Sequence, residues 1–303
     1  MVNSAELTIV IPAYRCARYL PATVRSALEC AGTEILIAED ASGDGTVQVA
    51  RQINRQFPDR VRLIENTRNL GMTANWRNAF EQVRTPWALK LDGDDLINPA
   101  YLAAALSIIR TQSNFMVIAG GLEEIGPDAY LAEPPPSHSI NPESFKSYAG
   151  IDALRVCMAW TPVPCSSSMI FNMDIYQRVG GFASALSWCP DREIWFRLAR
   201  HGPIVICEGL AAFYRVLPES ITAITKRADR QCFEHSQMFR LAERFWPEPA
   251  ARKLFRRVFF RSSGSFVKSA WRALLRARAQ EIPDRLGNGT RDLCRAVRSF
   301  CRQ

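Results

Sequence analysis

The sequence predicts an α/β fold, a sheet assembled from βαβ units, followed by a basic, mostly helical C-terminal extension. Three observations lead there. Short β-branched runs alternate with helical stretches over the first 120 residues, the pattern that gives parallel strands covered by helices. Several runs end in loops rich in Gly, Asn and acids, where ligands of such sheets collect. After residue 225 the apolar spacing becomes helical and the charge turns strongly positive.

Leu7-Thr8-Ile9-Val10-Ile11, stopped by Pro12, reads as the first strand, with Pro12-Ala13-Tyr14 as its exit. A helix follows over residues 19–30, then a second strand, 34–38. Its end, Glu39-Asp40-Ala41-Ser42-Gly43-Asp44-Gly45-Thr46, is crowded with small and acidic residues. A helix spans 46–56, a third strand 61–64, and Arg68-Asn69-Leu70-Gly71 leads into a helix carrying Asn75, Arg77 and Asn78. Ala88-Leu89-Lys90-Leu91 is the fourth strand, followed by a helix over 99–110 and a fifth strand over 115–119. The first strand runs into Pro-Ala-Tyr and not G-x-G-x-x-G, which disfavours a dinucleotide site.

Residues 120–165 are less patterned. Glu133-Pro134-Pro135-Pro136-Ser137-His138 reads as a semi-rigid loop, either a cover over a binding site or an inert excursion. Further on come a strand near 165–171, a short helix closing at Gly180-Gly181-Phe182, a helix opened by Pro190-Asp191, and a late strand over 205–213.

A chain of 303 residues with 48% hydrophobic content supports a large core. Its nine cysteines are scattered and odd in number, which fits reduced thiols better than a disulfide framework. Met1–Glu6 lacks a basic region followed by an apolar core, and no apolar segment is long enough to span a bilayer. The expectation is a cytoplasmic protein, at most peripheral on the inner face of the cytoplasmic membrane. Residues 1–225 hold 19 Lys/Arg against 23 Asp/Glu, a net of −4; residues 226–303 hold 19 against 7, a net of +12. The expected division is therefore an α/β domain over 1–225 and a basic extension over 226–303.

The fourth strand ends in Asp92-Gly93-Asp94-Asp95. Three carboxylates so close repel one another unless a cation sits among them. Either they form a solvated turn or they hold a divalent cation that also grips phosphate oxygens.

Four pieces, the IVIPAY strand end, the EDASGDGT loop, the LDGDD stretch and the GGF…PDREIWFRL segment, together resemble the inverting glycosyltransferases of family 2, whose fold is GT-A, a Rossmann-like mixed sheet. The match covers about residues 7–220, and the ordered set is more specific than any piece. The resemblance implies a donor that is a nucleotide-diphosphate sugar, most often a UDP-sugar. It also implies Mg²⁺ or Mn²⁺ as cofactor, and a saccharide or lipid-linked acceptor of the kind used in cell-surface polysaccharide synthesis. Carried over by position, Pro12 and Tyr14 border the nucleobase, Asp40 accepts a hydrogen bond from it, and Ser42 continues that loop. Asp44 either shares that task or caps the following helix. Asn69, Gly71 and Asn78 lie near the nucleotide. Asp92 meets the ribose or the metal's water shell, Asp94 ligates the metal, and Asp95 either assists or orients the next helix. Asp191 matches the family's base, against the reading of a plain helix cap.

Two departures from the family pattern stand out. Pro190 occupies the place of a family glutamate, and Leu217 that of a histidine able to touch metal or phosphate; either the metal's protein ligation is thin, or Arg215 and a flexible tail serve the diphosphate. In the extension, Phe266, Val267, Ala270, Trp271, Leu274 and Leu275 share a helix face, with Lys268, Arg272, Arg276 and Arg278 among or opposite them. That face either packs on the body or docks on an anionic membrane; no nucleic-acid partner is expected. Competing functional readings are a sugar-nucleotide nucleotidyltransferase and a degenerate membrane-associated scaffold.

Overall fold

The computed structural model describes residues 5–112, 115–136, 138–158, 166–187, 189–218 and 230–257. In chain order the elements are β1 (Leu7–Ala13), α1 (Leu20–Leu28), β2 (Thr33–Glu39), α2 (Thr46–Gln56), β3 (Val61–Glu65), α3 (Met72–Glu81), β4 (Trp87–Lys90), β5 (Leu96–Ile97) and α4 (Pro99–Thr111). Then come β6 (Val117–Ile125), β7 (Phe145–Tyr148), α5 (Gly150–Met158), β8 (Ile170–Asn172), α6 (Met173–Arg178), α7 (Pro190–His201), β9 (Ile204–Arg215) and α8 (Arg230–Glu243). Residues 249–257 are again helical.

The strands form one mixed sheet in the order β3-β2-β1-β4-β8-β6-β9-β5, with β7 also on β9. β3, β2, β1 and β4 are mutually parallel, the half that the βαβ pattern predicts. β8 runs antiparallel between β4 and β6, and β9 is parallel to β6. Two reversals restore the direction, so the carboxyl ends of β1, β2, β4 and β9 share one edge of the sheet. β5, β7 and α5 have no counterpart in the sequence reading. β5 is two residues long, and the Phe-Lys-Ser-Tyr of β7 has no buried alternation to reveal it.

Alternation along the strands feeds two cores. Leu7, Ile9, Ile11, Ile35, Ile37 and Leu89 face the layer of α1, α2 and α4. Val10, Ala38 and Ala88 face the opposite layer, built from α3, α5, α6 and α7. The first part of the extension joins that second core: Met238, Phe239, Ala242, Trp246 and Phe255 are all buried in it. Phe196 of α7 lies 6.0 Å from Phe239 and 5.7 Å from Phe255, and its carbonyl accepts from Trp246 Nε1 at 2.8 Å. The amphipathic stretch 266–278 lies outside the described residues.

Candidate active site

Loops after three neighbouring strands lock together along the shared edge. Beyond β1, Arg15 N donates to Ser42 Oγ at 3.0 Å and Cys16 N to Thr46 Oγ1 at 3.0 Å, tying this exit to the loop after β2. Asp44 Oδ1 accepts from Thr46 N and Oγ1 at the start of α2. On the other side, a Cβ on Gly93 would sit 2.9 Å from Cys16 Sγ and 3.1 Å from Pro12 O, so the β4 loop approaches β1 as closely as a glycine permits. Tyr14 stands 46% exposed on this rim, with Arg15 over its ring.

The acids after β4 have an internal cation. Lys90, the last residue of β4, is fully buried. Its Nζ donates to Asp92 Oδ1 at 2.5 Å and Ser166 Oγ at 2.9 Å, and lies 3.8 Å above the Trp76 ring of α3. Ser166 Oγ donates onward to Asp92 Oδ2 at 2.9 Å. Burial opposes ionisation of Asp92, but Lys90 and the serine hydroxyls outweigh it and hold the carboxyl below its usual range. Asp94 is the reverse case: burial and then the Asp92 charge push its carboxyl up to about 6, and among the described residues no side chain donates to it.

Asp95 is buried, and burial, then Asp94 and Asp92, push it well above the carboxylate range. Ser167 Oγ lies 3.0 Å from Asp92 Oδ2 and 2.5 Å from Asp95 Oδ2. This one hydroxyl, within hydrogen-bond reach of both carboxylates, links Asp92 to Asp95. Asp95 Oδ1 accepts from Arg215 N at 2.8 Å. Asp95 is thus a tie between β4 and β9, and of the three acids Asp94 is the one left open.

Asp191 stands in the first turn of α7, after Pro190. Burial raises its carboxyl above the ordinary value, against the pull of Lys90 and Arg192, and the Asp92 charge raises it further. Asp191 therefore shares the field of the Lys90–Asp92 pair. The helix that carries it is anchored by a buried ion pair, Arg197 Nη2 to Glu193 Oε2 at 2.5 Å. Arg197 also donates to Val179 O at 2.5 Å and Gly181 O at 2.7 Å. From α3, Arg77 grips the same turn through Gly180 O and Phe182 O.

Other expected residues serve structure first. The Asp40 carboxylate, expected to accept from a base, already accepts four bonds, from Asn66 Nδ2, Asn69 Nδ2, Leu70 N and Gly71 N, at 2.8–3.1 Å. They fold the 66–71 loop around it, with Gly71 at φ +83°. Asn78 donates to Asn66 Oδ1 at 2.8 Å and so braces Asp40 through a neighbour. Arg215, expected at a diphosphate, is buried and spends Nε on Asp94 O and Nη1 on the carbonyls of Gly126, Pro127 and Ala129. Its Nη2 is buried with no hydrogen-bond partner. A hollow of about 390 Å³ opens beside the β2 end, lined by Glu39, Ser42, Val47, Arg51, Glu65 and Asn66 among others.

Lys90, Ser166, Ser167, Asn66 and Glu39 have no role in the sequence reading. The signal for Lys90 was present, a lysine at an inward position of a buried strand two residues before an acid. Asn66 carried none, since its role depends on Asp40 from a distant loop.

A family model described as Glycosyl transferase family 2 matches residues 8–180. The chain is 26% identical over 124 residues to the "Putative glycosyltransferase EpsE" of Bacillus subtilis, covering 40% of this chain and 45% of that protein. It is 25% identical over 222 residues to the "Chondroitin synthase" of Escherichia coli, covering 73% of this chain and 30% of that one. The chain thus spans less than half the length of these two relatives. Among solved structures, S. aureus TarS 1-349 in complex with UDP has a TM-score of 0.61 at 15% identity, covering 84% of this chain and 70% of that one. The mannosyltransferase PcManGT from Pyrobaculum calidifontis, in complex with GDP-Man and Mn2+, has a TM-score of 0.63 at 17% identity, covering 99% and 81%. At these identities the structural likeness establishes the fold, GT-A.

Proposed function

The chain belongs to glycosyl transferase family 2, and we propose that it moves a sugar from a nucleotide-diphosphate donor to a saccharide or lipid-linked acceptor, with inversion at the anomeric carbon. The observation that best supports this reading is the acidic turn at the carboxyl edge of the sheet, where Lys90 pairs with Asp92 and Asp94 is left without a side-chain donor, with Asp191 within the field of the Lys90 and Asp92 charges. The ligands bound in the structural neighbours, UDP and UDP-GlcNAc in TarS and GDP-Man in PcManGT, support a nucleotide-sugar donor.

The base and ribose would lie along the rim of Pro12, Tyr14, Ser42, Asn69 and Gly71, with Tyr14 offering an exposed ring face. Asp40 and Asn78 act there by holding the 66–71 loop. The donor set after β4 suits a hard dication: Asp94 is an open carboxylate, and Asp92 lines the same turn. Among the described residues no three His, Cys, Asp or Glu side chains are arranged to hold an ion by themselves, so the donor's phosphate oxygens would complete the shell. Bound Mg²⁺ or Mn²⁺ would supply Lewis acidity to the departing diphosphate.

Asp191 takes the proton from the attacking acceptor hydroxyl at its carboxylate, and its upward shift brings its basicity nearer to working pH. The Asp191→Asn variant should keep nucleotide binding and lose about 10²–10⁴-fold in turnover. Sugar release from UDP- and GDP-sugars with Mn²⁺, compared in wild type and variant, tests it; equal turnover removes Asp191 from the role.

The relatives' names point to polysaccharide synthesis as the setting. No helix among the described residues is long and apolar enough to cross a membrane. Contact with an anionic membrane surface would come from the basic amphipathic stretch 266–278.

A further inference from the structure

Lys90 occupies a position that the strand pattern reserves for an apolar side chain. Ala88, two residues earlier, faces the same core, and Trp76 covers both from α3. A buried ammonium costs several kcal/mol unless it is well paired, and the fold places this one beneath its own acidic turn. All of its capacity is spent there, on Asp92 Oδ1, on Ser166 Oγ and on the Trp76 face. Lys90 is fully buried, so it has no donor to offer a substrate. The second oxygen of Asp92 is filled by Ser166 and Ser167. Asp94, two residues on, accepts none of these hydrogen bonds and feels the Lys90 ammonium only as a nearby charge.

We propose that Lys90 is a positioning residue that keeps Asp92 occupied, so that the acidic turn presents Asp94 as its open carboxylate. The protein alone then holds a dication poorly, and the ion enters together with a phosphate-bearing ligand. The identity of that ligand as a nucleoside diphosphate rests on the glycosyltransferase reading; the role of Lys90 does not.

The test is Mn²⁺ binding to the full chain, followed by the EPR signal of free Mn²⁺, without nucleotide and with UDP or GDP. Wild type should bind Mn²⁺ weakly alone and at least about tenfold more tightly with one of the nucleotides. Lys90→Met removes the cation that competes for Asp92 and should raise nucleotide-free Mn²⁺ affinity by about tenfold or more, since a like charge beside the site opposes the dication. That gain should disappear in Lys90→Met/Asp92→Asn. Damage to the fold would lower metal binding, so a gain cannot come from it. If Lys90→Met does not fold, Ser166→Ala, which opens one Asp92 oxygen, should give a smaller gain of the same sign. A folded Lys90→Met that binds Mn²⁺ no better than wild type overturns the proposal, as does an unchanged Ser166→Ala if it is the variant that folds. Should neither nucleotide alter Mn²⁺ binding while the gain persists, the donor reading fails and the role of Lys90 stands.

Discussion

Asp94 carries part of the penalty of the acidic turn. Its carboxyl is raised from 3.8 to about 6 by burial and by Asp92. Below the unfolded value it is neutral in both states and costs nothing. Between the two values the folded state holds a proton that the unfolded chain has lost, so stability declines as pH rises through this window. Above the folded value the full penalty applies. Asp94→Asn should therefore stabilise the ligand-free protein at pH 7 by about 1–2 kcal/mol, after discounting for partial exposure, and by little at pH 4. Denaturant midpoints at the two pH values measure this. Equal midpoints for variant and wild type at pH 7 would mean that Asp94 is solvated. The acids themselves were legible from sequence, because a strand ending in three carboxylates demands a cation. That part of the cation is Lys90 was not, since it depends on Trp76 and Ser166 converging on the ammonium from other elements.

At the scale of elements, Asp191 depends on how α7 is held. Glu193 and Arg197 form a buried pair one turn apart, and Arg197 adds the carbonyls of Val179 and Gly181. Arg197→Met would leave Glu193 charged and buried and two carbonyls unserved, a loss of about 3–5 kcal/mol. Chemical denaturation reads the loss, and a change below 1 kcal/mol would show that the pair is not what anchors the helix. The parallel half of the sheet, β1 to β4, was readable because each strand is a short run dominated by apolar residues and separated from the next by a helix-length segment. The second half was not. β5 and β7 are held by pairing with β9, from 115 and 62 residues away in the register Ile97↔Ala212 and Phe145↔Cys207, and local pattern carries no trace of such contacts. The same distance hides the Asp40 clamp, whose partners Asn66 and Asn69 follow a different strand.

For the whole molecule, the charge boundary near residue 226 does not coincide with the edge of the core. Phe239, Trp246 and Phe255 bury their rings against α7. Ending the chain at residue 226 would strip this cover from the helix that bears Asp191, exposing Phe196 and costing stability by several kcal/mol. Ending it at residue 257 keeps those contacts. The shorter chain should unfold at lower temperature, while the longer one should bind nucleotide like the full protein and lose sedimentation with anionic vesicles. Full vesicle binding by the chain ending at 257 would remove the basic segment from any membrane role. Acids from separate loops would then serve one nucleotide diphosphate. Locating Mn²⁺ by its anomalous signal, in crystals grown with UDP or GDP, tests that assertion most directly. The ion should lie between the diphosphate and the Asp94 carboxylate, on the rim that also carries Tyr14 and Asp191. A nucleotide seated elsewhere, with Asp94 untouched by the ion, would contradict it.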